Sequence, residues 1–397
     1  MSIDNNNLIN DKYTLITMSL GQSLEKWSST GHISRELGYY SQLSKLIGPL
    51  GFLTYSNNAV LEQKYLKNYI SNAQIVWNKP EKLSVFYKNN FLASCAAPFN
   101  KQKYQHCKLI RSNQMSGAWA GAILAKKLRV PFILRCGYLF SSNFIKDKNN
   151  SFISKQISYY IEKIVAHSAN IIFVTYPGAK DFFINEHNID AKKIHILRNP
   201  IDIEKFKLAD LQKNRDVIFI GRFSDEKNIP SIIHACHKTN TSLTFVGDGP
   251  LKQDMIQLAK RLGVDAIFCD TVPNEKIPIL LNKHKIFIIA SFFEGNPKSL
   301  LEAMSCEMPC IASNIDEHKN IIKHEENGLL CNTSAEDIAH SIIQLKQYPD
   351  LAKILGNKAR QKIVNEYSMK VIAEKESQIH LNLINDYAKT KLNYINN

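Results

Sequence analysis

Several features that would assign this chain quickly are missing from it. Its eight cysteines are scattered, with no C-x-x-C pair. That weighs against a disulfide framework or thiolate metal site and for a reducing compartment, with Cys306 and Cys310 expected as buried thiols. No run of about 18 apolar residues occurs, the length a spanning helix needs. The opening "MSIDNNNLINDKYTLITMSL" has no basic segment leading into an apolar one, so no secretory leader is expected. Internal repeats and low-complexity tracts are absent as well. The stretch "LTFVGDGP" holds Gly247 and Gly249 but not the third glycine of a dinucleotide fingerprint. It reads as a tight turn, which counts against a nicotinamide-dependent oxidoreductase. No D-x-D is present to hold Mg²⁺, and neither a metal nor a cofactor is expected.

Acid is scarce in one half only. Residues 1–200 carry 25 Lys+Arg against 11 Asp+Glu, while residues 201–397 carry 25 of each. Anionic lipid, an acidic lipid-linked acceptor or nucleic acid would each suit such a basic half. So would a solvated surface of an Asn/Lys/Ile-rich chain. No nucleic-acid-binding motif accompanies it, so nucleic acid is not an expected partner.

What is present is an alternation of short apolar runs with helical spacing. In the first half "YTLITMSL", "GFLTYS", "AQIVWN", "CKLIRSN", "VPFILRCGY", "NIIFVTY" and "KIHILRN" read as strands. Helices are expected at "SRELGYYSQLSKLI", "SGAWAGAILAKKL", "FISKQISYYIEKIVAHSA" and "PGAKDFFINEH", with "GQSLEKWSSTG" as a loop. The second half repeats the pattern with "DVIFIG", "SLTFVG", "AIFCD", "KIFIIA", "PCIAS" and "GLLC". This order predicts an α/β chain of two Rossmann-like, doubly wound parallel-sheet domains. The seam falls in the polar "RNPIDIEKFKLADLQKNRD", giving domains 1–205 and 206–370. A helical tail, 371–397, is expected to pack back on the first domain.

Ligands of such sheets bind beyond the carboxyl ends of the strands, so the loops there carry the functional reading. "VIFIGRFSDEKN" ends a strand at Gly221 and supplies Arg222 and Lys227, the latter expected to open a helix. Together with helix N–H groups these could hold an anion. "IFIIASFFEGNPKSLLEAM" places Glu294-Gly295-Asn296-Pro297 before a helix. Gly295 lets backbone approach a ligand, and Pro297 is preset for a first helical turn. The amides of Lys298, Ser299 and Leu300 then suit a diphosphate. Glu302, a turn into the helix, could accept from vicinal hydroxyls, and Glu294 from those of a sugar.

The E-x7-E of "EGNPKSLLE", with "GRFSDEKN" upstream, "NPIDIEKF" at the seam and "CEMPCIASNIDEHKNIIKHEENGLLC" beyond, resembles the retaining glycosyltransferases of family 4 (GT4, glycosyl transferases group 1). The likeness is specific over residues 194–335 and architectural elsewhere. It implies the GT-B fold, two domains facing a central cleft, and transfer from a nucleotide-diphosphate sugar without a metal. On matched positions it implies that Arg222 and Lys227 neutralise the donor diphosphate. Glu302 would hold the ribose, Glu294 the transferred sugar, and the backbone from Gly295 to Leu300 the distal phosphate. Thr271, Val272 and Pro273 would lie against the nucleobase.

The first domain would bind the acceptor, with Gly21, Arg135 and Tyr138 as candidates and Trp27 and Arg35 behind them. Gly21 lacks the paired glycines of the family's loop, and Arg135-Cys136-Gly137 stands where relatives place a histidine. His32, His106, His167 and His195 read as ordinary histidines. A cytoplasmic enzyme, peripheral on an anionic membrane and acting on a lipid-linked or cell-envelope glycan, is the leading expectation. A nucleotide-sugar epimerase, or a catalytically silent subunit that scaffolds glycan assembly, would fit the same fold.

Overall fold

The computed structural model describes residues 12–79, 90–99, 101–141, 151–295 and 297–396. The chain divides into two compact units, one formed by residues up to Arg198 together with those from Ile372, the other by Asn199–Val371. The division precedes the expected 205/206 seam because Ile201 bridges to Ser368 and sits in a core of the second unit.

In the first unit the strands β1 (Tyr13–Thr17), β2 (Leu50–Leu53), β3 (Ala73–Trp77), β4 (Cys107–Ser112), β5 (Phe132–Cys136), β6 (Ile171–Val174) and β7 (Ile194–Ile196) form one parallel sheet. Their order is β3-β2-β1-β4-β5-β6-β7. In the second, β8 (Arg215–Ile220), β9 (Leu243–Val246), β10 (Ala266–Cys269), β11 (His284–Ile289), β12 (Cys310–Ser313) and β13 (Leu329–Cys331) are ordered β10-β9-β8-β11-β12-β13. The inner strands are buried on both faces, as expected for parallel sheets covered by helices, and the edge strand β10 is not. In each sheet the winding reverses beside its first strand, between β1 and β4 and between β8 and β11. A crevice for ligands opens at such a reversal.

The stretch "GQSLEKWSSTG" is not a loop throughout: Leu24–Ser29 is helical. Ser23 caps it, and the buried carboxylate of Glu62 accepts from the amides of Leu24 (3.0 Å) and Glu25 (2.8 Å). A side chain from a distant helix thus satisfies the N-terminal N–H groups that would otherwise leave so short a helix unstable.

The tail is the helix Met369–Asn396. Its Glu376 is completely buried in the first unit, where Arg111 of β4 meets it with Nε at 2.6 Å and Nη2 at 3.2 Å. Tyr39 donates to the same carboxylate at 2.5 Å, and Arg111 Nη1 donates to the Tyr40 hydroxyl at 2.7 Å. Tyr40 in turn donates to Asn113 at 2.7 Å. Among the described residues, no helix is long and apolar enough to cross a membrane.

Candidate active site

The reversal in the second sheet brings together the loops after β8 and β11. The Lys227 ammonium lies 2.7 Å from Glu294 Oε1, with side chains 17% and 7% exposed. Backbone joins the loops as well, since the Phe292 amide donates to the Glu226 carbonyl at 2.8 Å. Lys227 does not open a helix. It ends a 3₁₀ turn, Asp225–Lys227, and Asn228, in the left-handed region at φ 50°, separates it from the helix Ile229–Lys238. The turn, not a helix axis, aims the lysine at Glu294. Arg222 stands exposed on the same loop.

Beneath Glu294 is a bracing group that sequence reasoning missed. Ser291 donates to Glu294 Oε1 at 2.7 Å, and its carbonyl accepts from the Ser313 hydroxyl at 2.5 Å. The Ser313 carbonyl lies 2.9 Å from Nδ1 of His318, a fully buried imidazole. Burial holds the His318 pKa below its ordinary value, against the Ser313 carbonyl and the nearby Glu294 charge. Ser291 was legible as the residue closing a strand; nothing in the sequence pairs Ser313 or His318 with it.

Glu302 belongs to a different group. It is buried in the helix Lys298–Ser305 and accepts from Asn274 Nδ2 at 3.1 Å. Asn274 Oδ1 accepts from Lys205 at 2.7 Å, which fixes the orientation of the amide. Asn274 directly follows the loop Thr271–Pro273, whose Thr271 and Pro273 are exposed and whose Val272 packs on the core. Lys205 lies in the seam motif "NPIDIEKF". The two glutamates therefore sit in separate hydrogen-bond groups.

The turn between them differs in one respect from expectation. Pro297 caps the helix, and its carbonyl accepts from the amides of Leu300 (3.1 Å) and Leu301 (3.2 Å). The Leu300 amide is thereby engaged within the first turn, and Lys298 and Ser299 open the helix at the positive end of its dipole. Asn296 lies outside the described residues. Around Gly295 no protein atom occupies the space that a Cβ would take, and its backbone is not in the left-handed region. Among the described residues, neither packing nor a positive φ calls for glycine there.

Glycines 247 and 249 do more than make a turn. A Cβ on Gly247 would lie 2.0 Å from the Gly221 carbonyl oxygen, and one on Gly249 would lie 2.4 Å from that of Phe223. The loops after β8 and β9 run against each other, with Gly221 donating to Val246 and Phe223 to Asp248, both at 3.0 Å. Gly247→Ala is expected to destabilise the second unit by about 1–3 kcal/mol, since φ 146° and the carbonyl contact both penalise a side chain. Urea unfolding at equilibrium measures it.

The acceptor candidates all lie in the first unit. Gly21, at φ 71°, closes a turn after β1 in which Gln22 donates to Ser19 at 2.9 Å. A Cβ there would meet the Asn90 amide nitrogen at 2.7 Å. Arg135 is buried in β5, near enough for its charge to act on Tyr39 and Tyr40. The half-buried Tyr138 follows β5, and burial pushes its phenol up to about 12. The loop bearing it is held by Gln114, which accepts from Gly137 at 2.8 Å, and by buried Glu162, which accepts from Phe140 at 2.9 Å. Trp27 is a core residue, and Arg35 pairs with Glu36 at 3.0 Å. Among the described residues, no group of three His, Cys, Asp or Glu side chains could hold a metal ion.

Residues 200–362 match the family model for Glycosyl transferases group 1. The chain is 26% identical over 312 residues to the UDP-Gal:alpha-D-GlcNAc-diphosphoundecaprenol alpha-1,3-galactosyltransferase of Escherichia coli, covering 72% of this chain and 77% of that protein. It is 25% identical over 237 residues to an N-acetylgalactosamine-N,N'-diacetylbacillosaminyl-diphospho-undecaprenol 4-alpha-N-acetylgalactosaminyltransferase of Campylobacter jejuni, covering 55% of this chain and 60% of that protein. Among solved structures, sucrose-phosphate synthase from Thermosynechococcus elongatus superposes with a TM-score of 0.75 at 15% identity, covering 94% of this chain and 100% of that one. Anabaena HepE in complex with UDP gives 0.73 at 16%, covering 93% and 100%. The shared architecture is the GT-B fold.

Proposed function

We propose that this chain, whose residues 200–362 form a group 1 glycosyltransferase domain, moves a sugar from a nucleotide-diphosphate donor to a lipid-linked or cell-envelope glycan. In this reading the reaction retains the anomeric configuration and uses the protein's own cations in place of a metal. The observation that carries it is the Lys227–Glu294 pair at the sheet reversal, next to a glycine with open space beside it that suits a ligand's approach.

Breaking the anomeric C–O bond leaves the electron pair, and so negative charge, on the diphosphate. Lys227 and Arg222 would meet that charge, with the amides of Lys298 and Ser299 at the helix end adding to them. Glu294, anchored by Ser291 and Lys227, would accept from the sugar's hydroxyls and fix its orientation. Glu302, held by Asn274, would accept from the ribose, with the base against Thr271–Pro273. The acceptor hydroxyl would then attack the anomeric carbon on the face that the diphosphate leaves, its proton passing to the departing phosphate oxygen. Two named relatives act on diphosphoundecaprenol-linked sugars, which supports a lipid-linked acceptor here.

The test is a transfer assay with a panel of nucleotide-diphosphate sugars and an undecaprenyl-diphosphate glycan acceptor, run with and without EDTA. Transfer that survives EDTA and gives a product with the donor's anomeric configuration is expected; inversion, or loss of activity with EDTA, would overturn the mechanism. In the same assay Glu302→Ala is expected to raise the donor KM by about 10-fold or more with a smaller change in kcat, as for loss of hydrogen bonds to a charged acceptor.

A further inference from the structure

The helix Phe152–Ser168 has one face that the described residues of the first unit leave open. Ser158, Glu162, Val165 and Ala166 are buried. On the other side Phe152, Ile153, Ile157, Tyr160 and Ile164 are 75%, 69%, 53%, 57% and 68% exposed. Positions 153, 157, 160 and 164 follow the spacing of a single helix face, so these side chains form a continuous stripe. Scattered exposed apolar residues are ordinary, whereas a contiguous stripe marks an interaction surface. The helix Ala118–Leu128 packs alongside and adds the exposed Ile123. The Lys127 ammonium lies 3.6 Å from the ring centroid of exposed Phe99.

The exposed charges on these two helices are cationic, and the nearest exposed acid beyond them is Glu186, whose carbonyl accepts from Tyr159. Lys126 and Lys127 occupy the last turn of Ala118–Leu128, Arg129 follows as its C-cap, and that helix has no acid. Phe152–Ser168 carries Lys155 and Lys163. Its single acid, Glu162, is buried and engaged with the amides of Phe140 and Ser141.

We propose that this face docks on an anionic phospholipid bilayer, its apolar stripe entering the boundary between headgroups and acyl chains and its lysines meeting lipid phosphates. An apolar helix face rimmed by cations is the form that binds in the plane of such an interface. A second copy of the same face would oppose cation to cation, which disfavours self-association. The proposal rests on the lipid-linked acceptor reading and supplies its physical counterpart, a surface that brings the first unit to where such an acceptor resides.

Flotation of the full chain with vesicles, with no donor or acceptor present, tests it. Vesicles of equal parts phosphatidylglycerol and phosphatidylcholine are compared with phosphatidylcholine alone. Binding about tenfold or more stronger to the anionic vesicles, weakening as salt rises, is expected. Ile157→Glu/Ile164→Glu and Lys126→Glu/Lys127→Glu should each reduce it about tenfold or more while melting as the parent does. Equal binding to both vesicle types, or variants that bind like the parent, would overturn the proposal. So would a dimer, seen by sedimentation, that Ile157→Glu dissolves. Donor hydrolysis by the same variants should be unchanged. Its absence from parent and variants alike would tell against the transferase reading and leave the docking result standing.

Discussion

Lys227→Ala is expected to lower kcat by about 10²–10³-fold, with a smaller effect on donor affinity, the size seen when one donor to a developing charge is removed. The lysine is mostly shielded from solvent, so its charge is weakly screened where it lies. Its stabilisation grows as the diphosphate departs, and that difference appears in kcat. Removing it also leaves Glu294 Oε1 with the Ser291 hydroxyl as its remaining described neighbour, so the sugar's anchor loosens. A cycle with Glu294→Ala separates these effects. If the two side chains act as a unit, the double variant should be no slower than the slower single one. Lys227→Arg should not restore the rate, because a planar guanidinium cannot reproduce the single 2.7 Å contact of the ammonium. Steady-state kinetics with the matched donor measures each, and an unchanged kcat in Lys227→Ala would remove the lysine from the site.

Glu376→Ala is expected to cost the first unit about 3–5 kcal/mol, because it strands the Arg111 guanidinium in the interior and deprives Tyr39 of its acceptor. At roughly 2–4 °C per kcal/mol for a unit of this size, the melting midpoint should fall by about 10 °C. Replacing both partners with apolar side chains, Arg111→Met/Glu376→Leu, should recover much of the loss. Burial opposes ionisation of Glu376, but Arg111 and His380 outweigh it and hold the carboxyl well below the usual carboxylate range. A depressed pKa stabilises the fold fully above the unfolded carboxyl's ordinary value, 4.5, and progressively less as the pH falls below it. The difference in melting temperature between parent and variant should therefore narrow in acid. Thermal melts at neutral and acidic pH report it, and a constant difference would show that Glu376 acts through packing alone.

Strands and glutamates were readable from the sequence to different depths. Each strand predicted from an apolar run is present, since parallel strands buried on both faces leave an uninterrupted signal. The short helix at Leu24 was not legible, because the carboxylate that caps it comes from Glu62, 38 residues away. Local propensity cannot report such a partner, although an acid four residues before the buried Leu66 hinted that Glu62 faces inward. For the proposed site, residue types and spacing single out Lys227, Glu294 and Glu302. The supports Ser313 and His318 become visible only once β11 and β12 pair in register, and Asn274 only once the loop after β10 meets the helix Lys298–Ser305. Lys227 was placed on a helix because Asn228, one residue with positive φ, is invisible to periodicity.

The Arg111–Glu376 pair has a consequence for the order of assembly. Its members are 265 residues apart, and the whole of the second unit lies between them in the chain. Synthesis from the N-terminus at about 5–20 residues per second delivers Arg111 many seconds before its counter-ion. The second unit, continuous from Asn199 to Val371, has all its strands before Glu376 emerges. The portion made first is thus the portion completed last. Until residue 376 arrives, the nascent first unit lacks the counter-ion of Arg111, and a chain cut short between Val371 and Glu376 would have a complete second unit and an unfinished first one.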